Sequence, residues 1–537
     1  MGTAILLSTF LISIVALVIF ILAMIRGWFD PDSKGANVIF GAREIGTADD
    51  PAASPAARSA LGADRPALDP HELEARAAAD ASSSTLTLVF MCCAIVWMLT
   101  ASFAGMVASV KLHAPDWLGA YEWLSFGRIR TLHLNSMAYG FLPMAGLGIA
   151  VWLLPRLLRT TLQGARLALL GAILWNAGLV AGLGAIAVGI SDGLEWLEMP
   201  WQVDVLLVIG GALILLPLVL TLKRRNVEHL YVSIWYMGAA LFWFPVLFLV
   251  GNVPGVHFGV QQAAMNWWYG HNVLGLFYTP LALASIYYFL PKVMGVPIKS
   301  YALSVLGFWT FAFFYGQVGG HHLVGSPVPG WVITLSIVQS VMMTIPVIAF
   351  GVNQYYTMKG KLGMLVHSPT LRFIAFGGLM YLASSLQGSF EALRSMNTVV
   401  HFTHYTVAHA HLGLYAFVAM VFFGAMYFVM PRVMEREWPY PSLIPWHFWL
   451  CAVGVGIYFV ALTWGGWLQG LAMLDAARPF MDSVTLTLPF LKWRSIGGLA
   501  MTLGHLVFAT HFLMMVLKLG PMRHAPAVFY APKESRA

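Results

Sequence analysis

Charge is what this 537-residue sequence has least of. Asp, Glu, Lys and Arg make up 10% of it and hydrophobic residues 59%, against roughly 25% charged and 45–50% apolar in soluble domains. That balance excludes a water-soluble globular protein. It also removes the usual meaning of a formal charge of +7. In a chain this apolar, Lys and Arg gather in the cytoplasmic loops of a membrane protein, so the basic balance does not mark a nucleic-acid binder. Cysteine is scarce too. Three cysteines cannot build a disulfide framework; Cys92, Cys93 and Cys451 lie in apolar runs, where the thiol acts as a small buried hydrophobe. No C-x-x-C-H occurs, which excludes covalently attached heme c on this chain.

What the sequence has instead is long apolar runs and histidine. A membrane-crossing helix takes about 20 apolar residues. Thirteen such runs are legible, near 4–25, 85–108, 133–155, 166–190, 203–222, 232–251, 265–291, 303–322, 331–354, 371–388, 405–431, 447–470 and 497–519. The expected fold is an all-α polytopic membrane protein, a twelve-helix core bundle plus one extra N-terminal transmembrane helix. Residues 1–25 are expected to be an N-terminal anchor, because Arg26 follows the run without a small-residue cleavage site. Residues 26–84, rich in Ala, Asp, Pro and Ser, are expected to be a flexible cytoplasmic linker, too poor in large apolar groups to build a core. Residues 85–520 form the core and 521–537 a cytoplasmic tail.

Orientation follows from the loops. Arg156, Arg159, Lys223, Arg224, Arg225, Lys292, Lys299, Lys359, Lys361, Arg432, Arg436 and Lys518 fall on one side, and Asp192, Glu195 and Glu198 on the other. The basic side is expected to be cytoplasmic, which puts the N-terminus in the periplasm and the C-terminus in the cytoplasm of a bacterial inner membrane. Arg128, Arg130, Arg394 and Arg494 are exceptions on the outer side and call for an anionic partner, which heme propionates supply.

Seventeen histidines are many for a chain whose interior is a bilayer, where histidine is rare and usually functional. His133, His271, His321, His322, His409 and His411 all fall in the outer third of the membrane once the spans alternate in direction. Residues two apart on a helix point to nearly opposite faces, so His409 and His411 serve two different centres. A second ligand for one centre must come from another helix, and His133 is the candidate. Two axial histidines close a heme for electron transfer, whereas one leaves a face open to a gas. His271, His321 and His322 supply three imidazoles for a further metal, and imidazole suits copper, iron or zinc. His229, His401, His404, His447, His505 and His511 are read first as loop, interfacial or supporting groups.

At this point the motifs resemble a known family. WWYGHN, YYFLPK, Tyr315 with His321-His322, HYTVAHAH, FGRIRTLHLN, EWLEMPWQVDVL and RSIGG are similar to the catalytic subunit of C-type (cbb-type) heme-copper cytochrome c oxidases, over about residues 85–520. The resemblance implies two hemes b, the low-spin one on His133 and His411 and the high-spin one on His409. It implies copper (CuB) on His271, His321 and His322. Tyr315 would lie beside that centre, paired with His271, and supply a proton and an electron for O–O cleavage. Arg128 and Arg394 are expected at the propionates, and Tyr287, Tyr288 and Ser304 on a proton-uptake path. The first span with GWFDPDSKGANVIF also resembles a small single-span assembly protein of such oxidases.

The implied activity is a terminal respiratory oxidase reducing dioxygen to water, coupled to proton uptake. Its implied electron donor is a c-type cytochrome subunit or soluble cytochrome c. Two departures stand out: Gln387 occupies the place of a family glutamate, with Glu391 one turn later, and Gly307 the place of a histidine. The alternative is a nitric oxide reductase with non-heme iron at the same triad. Those enzymes carry a glutamate four residues after the His271 equivalent, and this chain has Gly275 there. A secondary transporter predicts inverted repeats, and none is legible.

Overall fold

The computed structural model describes residues 33–41, 44–61 and 70–522, with single positions between 11 and 26. The expected anchor and the expected tail lie for the most part outside the described residues. Twelve long helices follow one another: α1 (Pro70–Lys111), α2 (Phe126–Leu157), α3 (Ala165–Ala187), α4 (Trp201–Lys223), α5 (Val232–Asn252), α6 (Gly259–Met294), α7 (Tyr301–Leu323), α8 (Gly330–Met358), α9 (Pro369–Glu391), α10 (His404–Met434), α11 (Leu443–Leu474) and α12 (Phe480–Val516). Among the described residues, eleven helices are long and apolar enough to cross a membrane. The exception, α9, carries Ser384, Ser385, Gln387 and Ser389 within its 23 residues.

Burial sorts the bundle. The apolar stretches of α2, α6 and α10 are 94%, 89% and 89% buried, those of α4, α7 and α12 only 33%, 39% and 39%. The three innermost helices are thus three of the four that carry the predicted ligand histidines. Leu, Val and Phe on the outer helices face outward, as a lipid-facing surface requires.

The segment read from sequence as a linker is built into the bundle where it is described. Gly46 and Asp49 donate backbone hydrogen bonds to Gly295 and Val293 (2.8 and 3.0 Å). Glu44 pairs with Lys292 at 2.6 Å and with Arg76 at 2.7 Å. Arg432 reaches Asp49 at 3.2 Å. Asp50 is fully buried and accepts from Ser368 Oγ, Thr370 Oγ1 and Thr370 N (2.6, 2.7 and 3.0 Å), at the start of α9. Burial opposes the Glu44 charge, but Lys292 and Arg76 outweigh it and hold the carboxyl well below its usual range. For Asp50 burial wins and raises the carboxyl despite the hydrogen bonds from Ser368 and Thr370. The linker reading therefore needs correcting. Scarcity of large apolar residues argued against packing, yet Glu44 and Asp49 are held by Lys292, Arg76 and Arg432, and Asp50 by hydroxyls and a backbone N–H at the start of α9, charge-assisted bonds being the stronger kind. Residues 70–84 likewise extend α1, since their Ala-rich composition favours helix.

Candidate heme and metal centre

Four helices bring the six histidines together, and each leaves α-helical geometry beside them. π-helical segments Ser136–Phe141, Leu274–Tyr278 and Leu412–Ala419 follow His133, His271 and His411 within one turn. α7 tightens into a 3-10 helix over Tyr315–Leu323. A π segment inserts an extra residue and re-aims what flanks it, and such bulges gather at functional sites. Side chains three apart eclipse in a 3-10 helix, so Tyr315 and His321 share a face.

All six histidines line one cavity of about 460 Å³, together with Tyr315, Trp267, Arg130 and Arg494. His271, His321 and His322 are its tightest cluster, with ligand nitrogens within 4.8 Å of one another. His271 Nδ1 stands 3.1 Å from His322 Nε2, and His321 Nδ1 is held by Ser340 Oγ at 3.0 Å. Trp267 stacks on His322 at 4.4 Å. A Cβ at Gly319 would come within 2.7 Å of the His271 Cβ, so bare backbone is what lets α7 approach α6 this closely.

Tyr315 stacks on His271 with ring centroids 5.3 Å apart, backed by Phe311 at 5.2 Å. Its hydroxyl is 3.4 Å from the His271 carbonyl oxygen. The tip of the ring fills the space that a Cβ on Gly275 would need. No side chain at 275 is compatible with this placement of Tyr315.

His133 and His411 face each other across the cavity with ring centroids 6.4 Å apart and planes 7° from parallel. Their Nδ1 atoms are tied to the Ala101 and Val407 carbonyls at 2.8 and 2.9 Å. That is the usual support of a metal-ligating imidazole, and it leaves Nε2 as the donor atom. The Tyr458 hydroxyl sits 3.2 Å from His411 Nε2 and accepts from Arg494 at 2.9 Å. His409 lies on the other side of α10, against Gly388 of α9. Its Nδ1 has no hydrogen-bond partner and stands 4.0 Å from Glu391 Oε1, itself buried and unpartnered.

Two expected residues are not brought to the cavity. Arg128 turns to the Ala187 carbonyl (3.3 Å) and Glu122 (3.7 Å), and Arg394 is exposed, 3.4 Å from Thr334 Oγ1. Arg130 and Arg494 line the cavity instead, Arg130 paired with Glu195 at 2.5 Å. Helical spacing explains the correction: Arg130 precedes His133 by three and shares its face, while Arg128 precedes it by five and does not. Tyr287, Tyr288 and Ser304 are buried but do not line the cavity. Tyr288 accepts from Arg156 at 3.2 Å, Ser304 donates to the Tyr301 carbonyl at 2.6 Å, and the Tyr287 hydroxyl has no partner. Trp267, Ser340 and Tyr458 were missed. Trp267 lies one turn before His271, a spacing that could have flagged it; Ser340 and Tyr458 come from other helices and leave no such signal.

A helical membrane bundle with six histidines converging on one buried cavity is the framework of a membrane redox enzyme. The family model for cytochrome c and quinol oxidase polypeptide I matches residues 85–500, and the chain belongs to that family, the subunit I oxidoreductases of the cytochrome c oxidase type. It is 32% identical over 437 residues to the Cbb3-type cytochrome c oxidase subunit CcoN1 of Stutzerimonas stutzeri, covering 77% of this chain and 91% of that one. A nitric oxide reductase subunit of the same organism is more distant, 23% identical over 439 residues, covering 76% and 90%. In fold the chain is similar to a heme-copper terminal oxidase dimer solved by cryo-EM, with a TM-score of 0.63, 15% identity, and coverage of 83% and 85%.

Proposed function

We propose that this subunit reduces dioxygen to water, with low-spin heme b between His133 and His411, high-spin heme b on His409, and copper held by His271, His321 and His322. The donor set supports this fit. Three converging imidazoles without a carboxylate suit copper, the Nδ1–carbonyl pairs suit axial ligation, and the unpartnered His409 Nδ1 faces Glu391. When bound, these groups would supply electron transfer and the redox chemistry that reduces a gas.

The chain's own residues supply the rest. Tyr315 holds a proton at its hydroxyl against the His271 side of the triad. Trp267 and Ser340 fix the His322 and His321 rings. The buried wall excludes bulk water, and Arg130 and Arg494 present cations to propionate groups. Proton supply is assigned to the basic-loop face, where Ser304, Tyr287 and Tyr288 stand between the loops and the cavity and Tyr381 stands in its wall. Electrons come from a c-type cytochrome subunit or soluble cytochrome c on the opposite, periplasmic face of a bacterial inner membrane.

The observation that carries oxygen over nitric oxide is the Tyr315 ring lying on Gly275. The glutamate that gives a nitric oxide reductase an oxygen ligand for iron has no room at 275, and a phenol stands in its place. Metal analysis of the purified protein tests the reading: about two irons and one copper per chain support it. About three irons without copper would make the protein a nitric oxide reductase with a carboxylate-free iron site.

A further inference from the structure

Away from the metal triad, α11 and α12 carry three more histidines: His447, His505 and His511, which are 0%, 7% and 0% exposed. They form part of a column. His505 Nδ1 lies 2.7 Å from Ser102 Oγ and its Nε2 lies 2.8 Å from the Tyr415 hydroxyl. The Cys451 thiol is hydrogen-bonded to Tyr415 and lies within electrostatic reach of Tyr427. The Tyr427 hydroxyl is 3.0 Å from His447 Nδ1, and its ring is 6.1 Å from that of His511. His511 Nε2 reaches the Pro439 carbonyl, 2.5 Å away, in the loop between α10 and α11. At the other end Tyr415 and His505 line the cavity wall shared with His133 and His411. The apolar walls along the way are Phe423 and Phe508.

Two features separate this column from helix-to-helix adhesion. Its polar side chains (Ser, His, Tyr, Cys) are each able to donate and accept a hydrogen bond, with no carboxylate, Lys or Arg among them. And His447 Nε2 and His511 Nδ1 are buried without a partner. Leaving such an atom dry is costly, and adhesion alone gives no reason to keep it. A relay does, because an imidazole that takes a proton on one nitrogen must release it from the other, through ordered water where a gap remains.

We infer that this column is a proton route from the basic-loop face to the low-spin heme side of the cavity, separate from the Tyr315 side. The inference rests on the heme assignment proposed above. An electron placed between His133 and His411 adds negative charge in a medium of low dielectric, where it is costly until compensated. One proton per electron enters at the His511 end and passes by exchange of N–H, S–H and O–H protons along His447, Tyr427, Cys451 and Tyr415. It comes to rest at the His505–Ser102 end and leaves the same way on oxidation. The ionisable groups facing the cavity end are Arg130, Glu195, Tyr458 and Arg494; those flanking the loop end are Glu435, Arg436, Glu437 and Lys518.

The test uses the whole purified enzyme in vesicles, reduced anaerobically, with heme absorbance and a pH-sensitive dye followed together. His505→Phe and His447→Phe are expected to slow the proton uptake that accompanies low-spin heme reduction about a hundredfold, the lower end of what a positioned proton-transfer group contributes. In His447→Phe, which lies away from the cavity lining, heme content and spectrum stay those of the wild type. His505→Gln restores hydrogen bonds to Ser102 and Tyr415 but cannot pass a proton between two ring nitrogens, so it is expected to be as slow as His505→Phe. Wild-type uptake in His505→Gln, or unchanged uptake in both Phe variants, overturns the route and leaves a purely structural contact. A preparation that binds no heme overturns the heme assignment itself, and the route with it.

Discussion

Tyr315 and Gly275 form one unit, because the ring occupies the volume a side chain at 275 would fill. Tyr315→Phe keeps the stacking on His271 and removes only the hydroxyl. Turnover is expected to fall by about a hundredfold or more, with iron and copper content unchanged, measured as oxygen consumption beside metal analysis. A second prediction concerns the acidic loop opposite the basic face. Burial and the neighbouring Glu195 push the Glu198 carboxyl up to about 7, although Asn135 donates to it at 2.9 Å. A raised carboxyl favours the neutral form, so its stability is full below the usual carboxylate range and is lost as pH rises through about 7. Glu198→Gln mimics that neutral form. Its unfolding temperature should gain on the wild type between about pH 5 and about pH 8, and a constant gap across that range would refute this. At this scale the sequence was informative where spacing dictates direction. His409 and His411, two apart, do face different helices. The same rule, applied to Arg128 and Arg130 relative to His133, would have selected Arg130; counting arginines by side of the membrane could not.

The helices were legible from apolar run length, and their departures from α geometry were not. A run of some 20 apolar residues fixes a span, but the π segments after His133, His271 and His411 and the 3-10 stretch of α7 have no composition of their own. They arise because neighbouring helices hold the side chains, and that information is not local in the chain. Their importance is testable. Deleting Ala138 from the first π segment returns α2 to plain helical register and turns His133 by about 100° relative to the residues beyond it. The variant is expected to lose the low-spin heme spectrum while keeping copper, read by visible absorbance and metal analysis. Retention of both would mean the π segment has no part in aiming His133. The beginning of α1 was misjudged for a related reason: an Ala-rich, charged stretch reads as linker by hydropathy, yet it prolongs a membrane helix to 42 residues.

At the scale of the molecule, the helical bundle of the described residues is closed on its basic face by residues 44–53, held to α6, α9 and α10 through Glu44, Asp49 and Asp50. Composition hid this, since the partners lie hundreds of residues away and only the folded bundle brings them together. Asp50→Ala strands the buried hydroxyls of Ser368 and Thr370 and removes the cap on α9, a loss of about 1–3 kcal/mol. The expected outcome is a lower unfolding temperature in detergent with the heme spectrum of the folded fraction unchanged; an unaltered temperature would show that the segment only rests on the surface. The order of synthesis gives this closure a further meaning. Asp49 waits for Arg432, which is 383 residues further along, so this segment cannot be fully seated before α10 is made. The clasp thus ties the amino-terminal part of the chain to α10, a contact that can form only once both stretches are present.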